Sequence, residues 1–205
     1  MNPQIPELRK ALAKKLSASR YEHSLSVSFT CVCLAMRYGY PLDTAELAGL
    51  AHDCAKCYST QEMTQRCEKH GIPVTEAERQ APEVLHAKLG AVLARERYGI
   101  LDPDILSAIA CHTTGKPDMG LLDKILFTAD YIEARRDKAD NLAQMRRLAF
   151  VDLDEAVYQI LKGTLQYLES RGGCIDPATR ETFAWYCRRR AQNAGENGQN
   201  PPAET

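Results

Sequence analysis

Four histidines and two aspartates hold most of the reactive chemistry available to this chain. His23, His52, Asp53, His86, His112 and Asp130 read H…HD…H…H…D along it, at separations that span whole helices rather than one tight loop. Imidazole and carboxylate are the donors expected for borderline and hard divalent metals such as iron, manganese or zinc. Six such groups suffice for two metals, so a hydrolytic metal centre is the first chemistry they suggest. An adjacent His-Asp pair is weak evidence alone, because short motifs arise by chance. The series carries more, since the chain holds only five histidines. The fifth, His70 before Gly71, reads as a surface residue at a helix C-terminus.

The elements that must position these groups are helical throughout, because apolar residues recur at helical spacing and no segment alternates as a strand would. Pro6 opens a short helix to about Leu16. Ser19 and Glu22 have capping-box spacing and start a longer helix ended by Gly39 and Pro41, with His23 in its first turns. On it Leu25, Val27, Phe29, Val32, Leu34 and Ala35 form a wide apolar surface. A third helix, about Leu42 to Asp53, is apolar enough to be buried and ends on His52 and Asp53. Ser59 with Glu62 caps a helix that stops at Gly71. Further helices run from Glu83 to Tyr98 with His86 near the start, from Pro103 to near His112, and from Leu121 to Ala134 with Asp130. Three more span about Leu142 to Phe150, Asp154 to Ser170, and Pro177 to Gln192. The expected architecture is an all-α bundle, with a single domain over 1–192 and a disordered polar tail over 193–205. The candidate ligands lie near helix ends, which converge at one end of a bundle where such folds build metal sites.

Composition narrows the partners. Twenty-six Lys and Arg against 27 Asp and Glu leave a net charge of −1, without the global basic field that drives nucleic-acid or membrane binding. No apolar run approaches a membrane span and no signal-peptide pattern opens the chain, so a cytoplasmic protein is expected. The eight cysteines then read as reduced core residues rather than disulfides. Cys54 and Cys57 have a CxxC spacing without a second pair or a thioredoxin-like surround.

With these segments in place, the chain resembles the HD superfamily of metal-dependent phosphohydrolases and, within it, the bacterial YqeK family. The likeness is carried by Arg20-Tyr21-Glu22-His23-Ser24-Leu25-Ser26-Val27, Ala51-His52-Asp53-Cys54-Ala55-Lys56, His86-Ala87-Lys88-Leu89-Gly90-Ala91, His112-Thr113-Thr114-Gly115 and the stretch from Leu122 to Glu133. It covers about residues 5–190. The resemblance implies an HD-domain helical bundle acting as a symmetrical dinucleoside tetraphosphatase, which cleaves diadenosine tetraphosphate to two ADP. It also implies two divalent metals, iron foremost with manganese as a substitute. His23, His52, Asp53 and Asp130 would hold one, and Asp53 would bridge to a second completed by His86 and His112. A homodimer stays open. So do an HD-type nucleotidase or deoxynucleotide phosphohydrolase, and a nucleotide-binding module without turnover.

Two metals would acidify a bridging water and clamp phosphate oxygens, placing hydroxide in line with a β-phosphorus. Asp53, Lys56 and Asp123 are the candidates for catalytic work beside them. Lys56 lies four residues after His52 and can reach a phosphate. Asp123 sits two helical turns before Asp130 on the same face, placed to orient a water or a histidine. Thr113, Thr114 and Gly115 could form an anion-binding turn, with a plain helix C-terminal turn as the alternative. Arg135 and Arg136, just past the Asp130 helix, are the expected phosphate or ribose contacts.

Overall fold

The computed structural model describes residues 2–139 and 141–197, and all regular structure among them is helical. Helix α1 (Gln4–Ala13) lays Ile5, Leu8 and Leu12 on the core at helical spacing. The cap of helix α2 (Ala18–Tyr38) lies two residues before the expected one. Ser17, extended at φ −60 and ψ 154, accepts the Arg20 amide, so Ser17 and not Ser19 is the N-cap. Gly39 ends α2 at φ 71, the left-handed conformation that favours glycine. The buried stripe of α2 is Ser24, Val27, Ser28, Cys31, Leu34 and Ala35. It is narrower than the apolar pattern implied, and Phe29 stands 55% exposed beneath the Arg9 guanidinium.

Helix α3 (Leu42–Ala51) is the central element, with Ala45 and every residue from Leu47 to Ala51 buried. Its small residues let α2 approach closely: a Cβ on Gly49 would lie 2.6 Å from the Ser28 Cα. The chain leaves α3 through His52 in a run of tight turns, with Cys54, Lys56 and Tyr58 each donating to the carbonyl three residues back. Helix α4 (Thr60–Lys69) carries the Ser59–Glu62 capping box expected for it. A short α5 (Glu76–Gln80), capped by Thr75 and Glu78, was not anticipated because its apolar content is too low to show a periodic face. A 3-10 turn at Pro82–Val84 leads into α6 (Leu85–Tyr98), and Asp102 caps α7 (Pro103–Cys111).

Helix α8 (Leu121–Ile132) closes the inner layer, packing on α2, α3 and α7. Helices α9 (Leu142–Leu148), α10 (Leu153–Ser170) and α11 (Pro177–Asn197) form an outer layer, α10 lying against α8 and α11 against α10. The helical backbone of α11 thus runs through Asn197, past the expected end at Gln192. The rest of the polar tail, 198–205, lies outside the described residues. The eight cysteines are all free. In the CxxC pair, the Cys54 Sγ is 3.4 Å from the Gly90 carbonyl and the Cys57 Sγ donates back to Cys54.

Gly49 in α3 and Gly163 in α10 differ in kind. Gly49→Ala forces a methyl into backbone and is expected to destabilise by about 1–3 kcal/mol, the usual cost of overpacking. At Gly163 an added Cβ meets only the Asn141 Nδ2, at 3.9 Å. Gly163→Ala should therefore stabilise by about 0.5–1 kcal/mol, the propensity difference alone. Urea denaturation of the two variants against the parent measures both.

Candidate metal centre

Five helices deliver their ends or first turns to one point. His23 comes from the second turn of α2, His52 caps the C-terminus of α3, and Asp53 follows it. His86 is the second residue of α6, His112 caps α7, and Asp130 lies in the last turn of α8. The six side chains expected to converge do so.

Asp53 sits at the centre, 2% exposed. Its two oxygens divide the histidines into pairs. Oδ2 lies 3.7 Å from the His23 Nε2 and 3.5 Å from the His52 Nε2, while Oδ1 lies 3.3 Å and 3.8 Å from those of His86 and His112. On the first side His23 and His52 stand 3.3 Å apart, and the Asp130 Oδ1 is 3.1 Å from His23. On the second side the His86 and His112 nitrogens are 3.0 Å apart. With metal–ligand bonds of about 2.0–2.2 Å, donors around one ion stand roughly 3–3.5 Å from each other, which is the spacing seen within each pair.

The ring orientations fit a cation better than a proton. His86 and His112 each turn Nδ1 to the carbonyl three residues back, Glu83 and Ile109. A carbonyl only accepts, so in both rings Nδ1 carries the hydrogen and Nε2 presents a lone pair. Burial and the neighbouring His112 push His86 down to about 3, and burial with His52 lowers His112, so both rings are neutral at pH 7. Two lone pairs and a carboxylate oxygen then face one another with no proton among them. A divalent ion satisfies all three. His52 fixes its Nδ1 on the Gly49 carbonyl at 2.6 Å in the same way. His23 differs, with its Nδ1 3.4 Å from the carboxylate of buried Glu133.

The charges respond accordingly. Burial raises the Asp53 carboxyl, but His52, His86 and His112 outweigh it and hold the group well below the usual range. Asp130 is likewise held down, burial being outweighed by the His23 hydrogen bond and by His52, His112 and Arg136. Burial lowers His52 and the adjacent Asp53 more than reverses this, leaving it raised.

The accessible mouth lies beside Asp130 and is ringed by cations. Arg20 Nη1 is 2.8 Å from the Asp53 Oδ2, and Arg136 bonds both the Asp130 carbonyl at 3.1 Å and its Oδ1 at 3.2 Å. Lys56 is half-buried near the same carboxylates; burial lowers its pKa against the pull of Asp53, with Arg20 adding to the lowering. Arg20 and Glu133 were not singled out from sequence as site residues. Both stand inside the family-like segments, yet nothing in their spacing says which way they face. Arg146, equally unforeseen, holds the chain past α8 in place by donating to the carbonyls of Ile132, Glu133 and Arg136.

Other expected residues lie elsewhere. Asp123 shares the α8 face with Asp130, but two turns separate them by about 10 Å along the axis. It caps α8 by accepting the Gly120 amide, accepts from Ser107 and pairs with Lys116 at 2.8 Å. Its hydrogen bonds and ion pair are therefore made to α7, the loop after it and the start of α8, not to the histidines. Gly115 donates its amide to the Cys111 carbonyl at 2.7 Å and packs against Thr182, so its N–H is spent on ending α7 rather than on an anion. The Thr114 hydroxyl bonds the Gly115 carbonyl, whereas the Thr113 Oγ1 stays at the site, 3.4 Å from the His86 Nε2. Arg135 is paired with Glu22 on the surface. His70 caps α4 and meets Glu96, outside the cluster.

Comparison with known proteins gives the family. The HD-domain family model matches residues 20–135, from Arg20 through the segment after Asp130, and the chain belongs to that family. It is 36% identical over 179 residues to the symmetrical bis(5'-nucleosyl)-tetraphosphatase of Bacillus subtilis, covering 87% of this chain and 95% of that one. It is 38% identical over 168 residues to the protein of the same name from Halalkalibacterium halodurans, covering 82% and 89%. A crystal structure of a predicted HD superfamily hydrolase involved in NAD metabolism from Clostridium acetobutylicum superposes with a TM-score of 0.87 at 34% identity, over 90% of this chain and 97% of that one.

The neutral state of His86 carries a pH signature. The unfolded ring takes a proton near pH 6.5 and the folded ring only near 3, so the unfolded state binds more protons between these values and stability falls as pH falls through them. Chelator-treated protein is expected to lose stability steeply from pH 6.5 to 4, and His86→Gln should flatten that slope. Thermal denaturation across the range, with parallel slopes as the contrary result, decides it.

Proposed function

We propose that this chain is a metal-dependent symmetrical hydrolase of dinucleoside tetraphosphates, converting diadenosine tetraphosphate to two ADP. The observation that carries the reading is the division of the Asp53 carboxylate between two histidine pairs, in a chain so similar over nearly the whole length of the symmetrical tetraphosphatases. His23, His52, Asp53 and Asp130 are proposed to hold one divalent metal, and Asp53, His86 and His112 a second. The donors are mixed imidazole and carboxylate, and the Cys54 thiol next door is turned to a carbonyl instead. Such a set suits iron, with manganese as a substitute. Free cysteines throughout accord with a cytoplasmic location.

When bound, the metals supply a nucleophilic water at neutral pH and positive charge for the phosphoryl oxygens. The chain's own residues do the rest. Asp53 and the four imidazoles fix the ligand geometry, each ring locked by its Nδ1 partner. Arg20, Lys56 and Arg136 line the mouth and neutralise the polyphosphate, positioning it so that water adds to the β-phosphorus of one half. The central bridging oxygen then leaves with the other half as ADP. Such transfers are carried by positioning and electrostatics.

Two experiments test this. Protein loaded with ferrous iron or manganese should yield ADP as the sole product, and AMP with ATP in its place would sink symmetrical cleavage. His52→Ala should lose both bound metal and turnover, while His70→Ala keeps both. Separately, Lys56→Ala and Arg20→Ala are each expected to lower kcat/KM by about 10–100-fold, the worth of one charged hydrogen bond. Steady-state kinetics with metal content held equal gives the comparison.

A further inference from the structure

A cavity of about 430 Å³ opens between α8, α10 and the segment that follows α8. Its wall includes Tyr131, Arg136, Asn141, Gly163, Thr164 and Tyr167. Its volume falls in the range of about 300–1,000 Å³ typical of small-molecule sites. The cavity that reaches the opposite flank of the metal centre, at Thr113, encloses only about 190 Å³ and includes the Lys88–Glu78 ion pair. The larger cavity is continuous with the metal centre through one side chain. The Arg136 guanidinium bonds the Asp130 carboxylate at 3.2 Å and stands 5.8 Å from the centroid of the Tyr131 ring.

We propose that this cavity is the binding site for one nucleoside of the polyphosphate, its base held at Tyr131 and Tyr167 and its first phosphate at Arg136. The proposal rests on the reading of the protein as a dinucleoside polyphosphate hydrolase. Its chemistry suits a nucleobase. Two tyrosine rings offer faces for stacking, Tyr167 being 60% exposed at the rim. The Tyr131 hydroxyl donates to the Asn141 Oδ1 at 2.9 Å, which turns the amide nitrogen toward Gly163. That nitrogen is a donor in the cavity wall, fit for a ring nitrogen or carbonyl of a base.

Gly163 gives an independent argument. A glycine inside a helix costs about 1 kcal/mol relative to alanine, and no neighbour lies close enough to demand one here, since an added Cβ would stand 3.9 Å from its nearest contact. What the missing side chain provides is room in the cavity. Arg136, Tyr131 and Asn141 therefore form a path from the metal-side carboxylate to a base-sized recess, and the polyphosphate spans the length between them.

Calorimetric binding to the manganese-loaded protein tests this, with ADP and inorganic pyrophosphate as probes. Both carry two linked phosphates, and only ADP has a nucleoside. Wild-type protein is expected to bind ADP at least tenfold more tightly than pyrophosphate. Gly163→Met, which fills the recess, should weaken ADP at least tenfold and leave pyrophosphate unchanged; Gly163→Ala serves as the folded control. Tyr167→Ala, an exposed position that leaves the core intact, should weaken ADP about tenfold. Equal affinity for the two probes, or equal losses for both in Gly163→Met, overturns the subsite. If the tetraphosphate is cleaved to ADP while Gly163→Met binds and turns over like wild type, the subsite fails and the hydrolase reading stands. If ADP behaves as expected but the tetraphosphate is not cleaved, the subsite stands and the hydrolase reading fails.

Discussion

One buried carboxylate organises this molecule. Asp53 is almost fully enclosed and ionised, and an unpaired charge at that depth would cost several kcal/mol. The bundle meets that cost by turning five helices toward it, four supplying imidazoles and α8 the second carboxylate. Arg20 approaches from the solvent side. The small residues near the site follow from this convergence. Gly49 lets α2 lie against α3, and Gly90 lets α6 pass under the His52 carbonyl, where a Cβ would stand 3.4 Å away. Larger residues would push apart the helices that hold the histidine and aspartate cluster.

Orientation is fixed by a second set of bonds. Three of the four rings use the carbonyl three residues behind them, a partner available wherever a histidine falls at or near a helix end. His23 lies within α2 and has no such carbonyl free, so a side chain from another helix takes the role. Glu133 does so, and its own position depends on the Arg135 amide it accepts and on Arg146, which ties down the carbonyls around it. The segment after α8 thus helps to orient His23 as well as bordering the cluster.

The mouth divides polar labour by exposure. Inside, the neutral His86 and His112 rings and the depressed carboxylates are arranged for a cation. At the rim, three basic side chains face a site whose substrate is polyanionic. A tetraphosphate needs both, since metal alone neutralises only part of its charge. Asp123 and Gly115 show the opposite assignment: each is near the site in sequence, and each is used to terminate or cap a helix.

The cluster of four histidines and two aspartates was legible in the sequence because histidine is scarce in this chain and each member sits near a recognisable helix boundary. Helical period, Gly39, Gly71 and the Ser59–Glu62 box also located most elements, since these signals act within a few residues. What sequence could not decide was direction across the bundle. Spacing put Asp123 on the same face as Asp130, and only the packing of α7 against α8 showed that this face meets Ser107 at one end and histidines at the other. Ser17 displaced Ser19 as a cap because backbone conformation, not residue type, chooses between them. Arg20, Glu133, Arg146 and the recess at Gly163 act through partners ten or more residues away, and such pairings leave no local periodic trace. Local chemistry determined which groups this protein has for a metal site; the tertiary structure decided how Asp53 divides them, because a carboxylate's two oxygens acquire distinct neighbours only when the helices are in place.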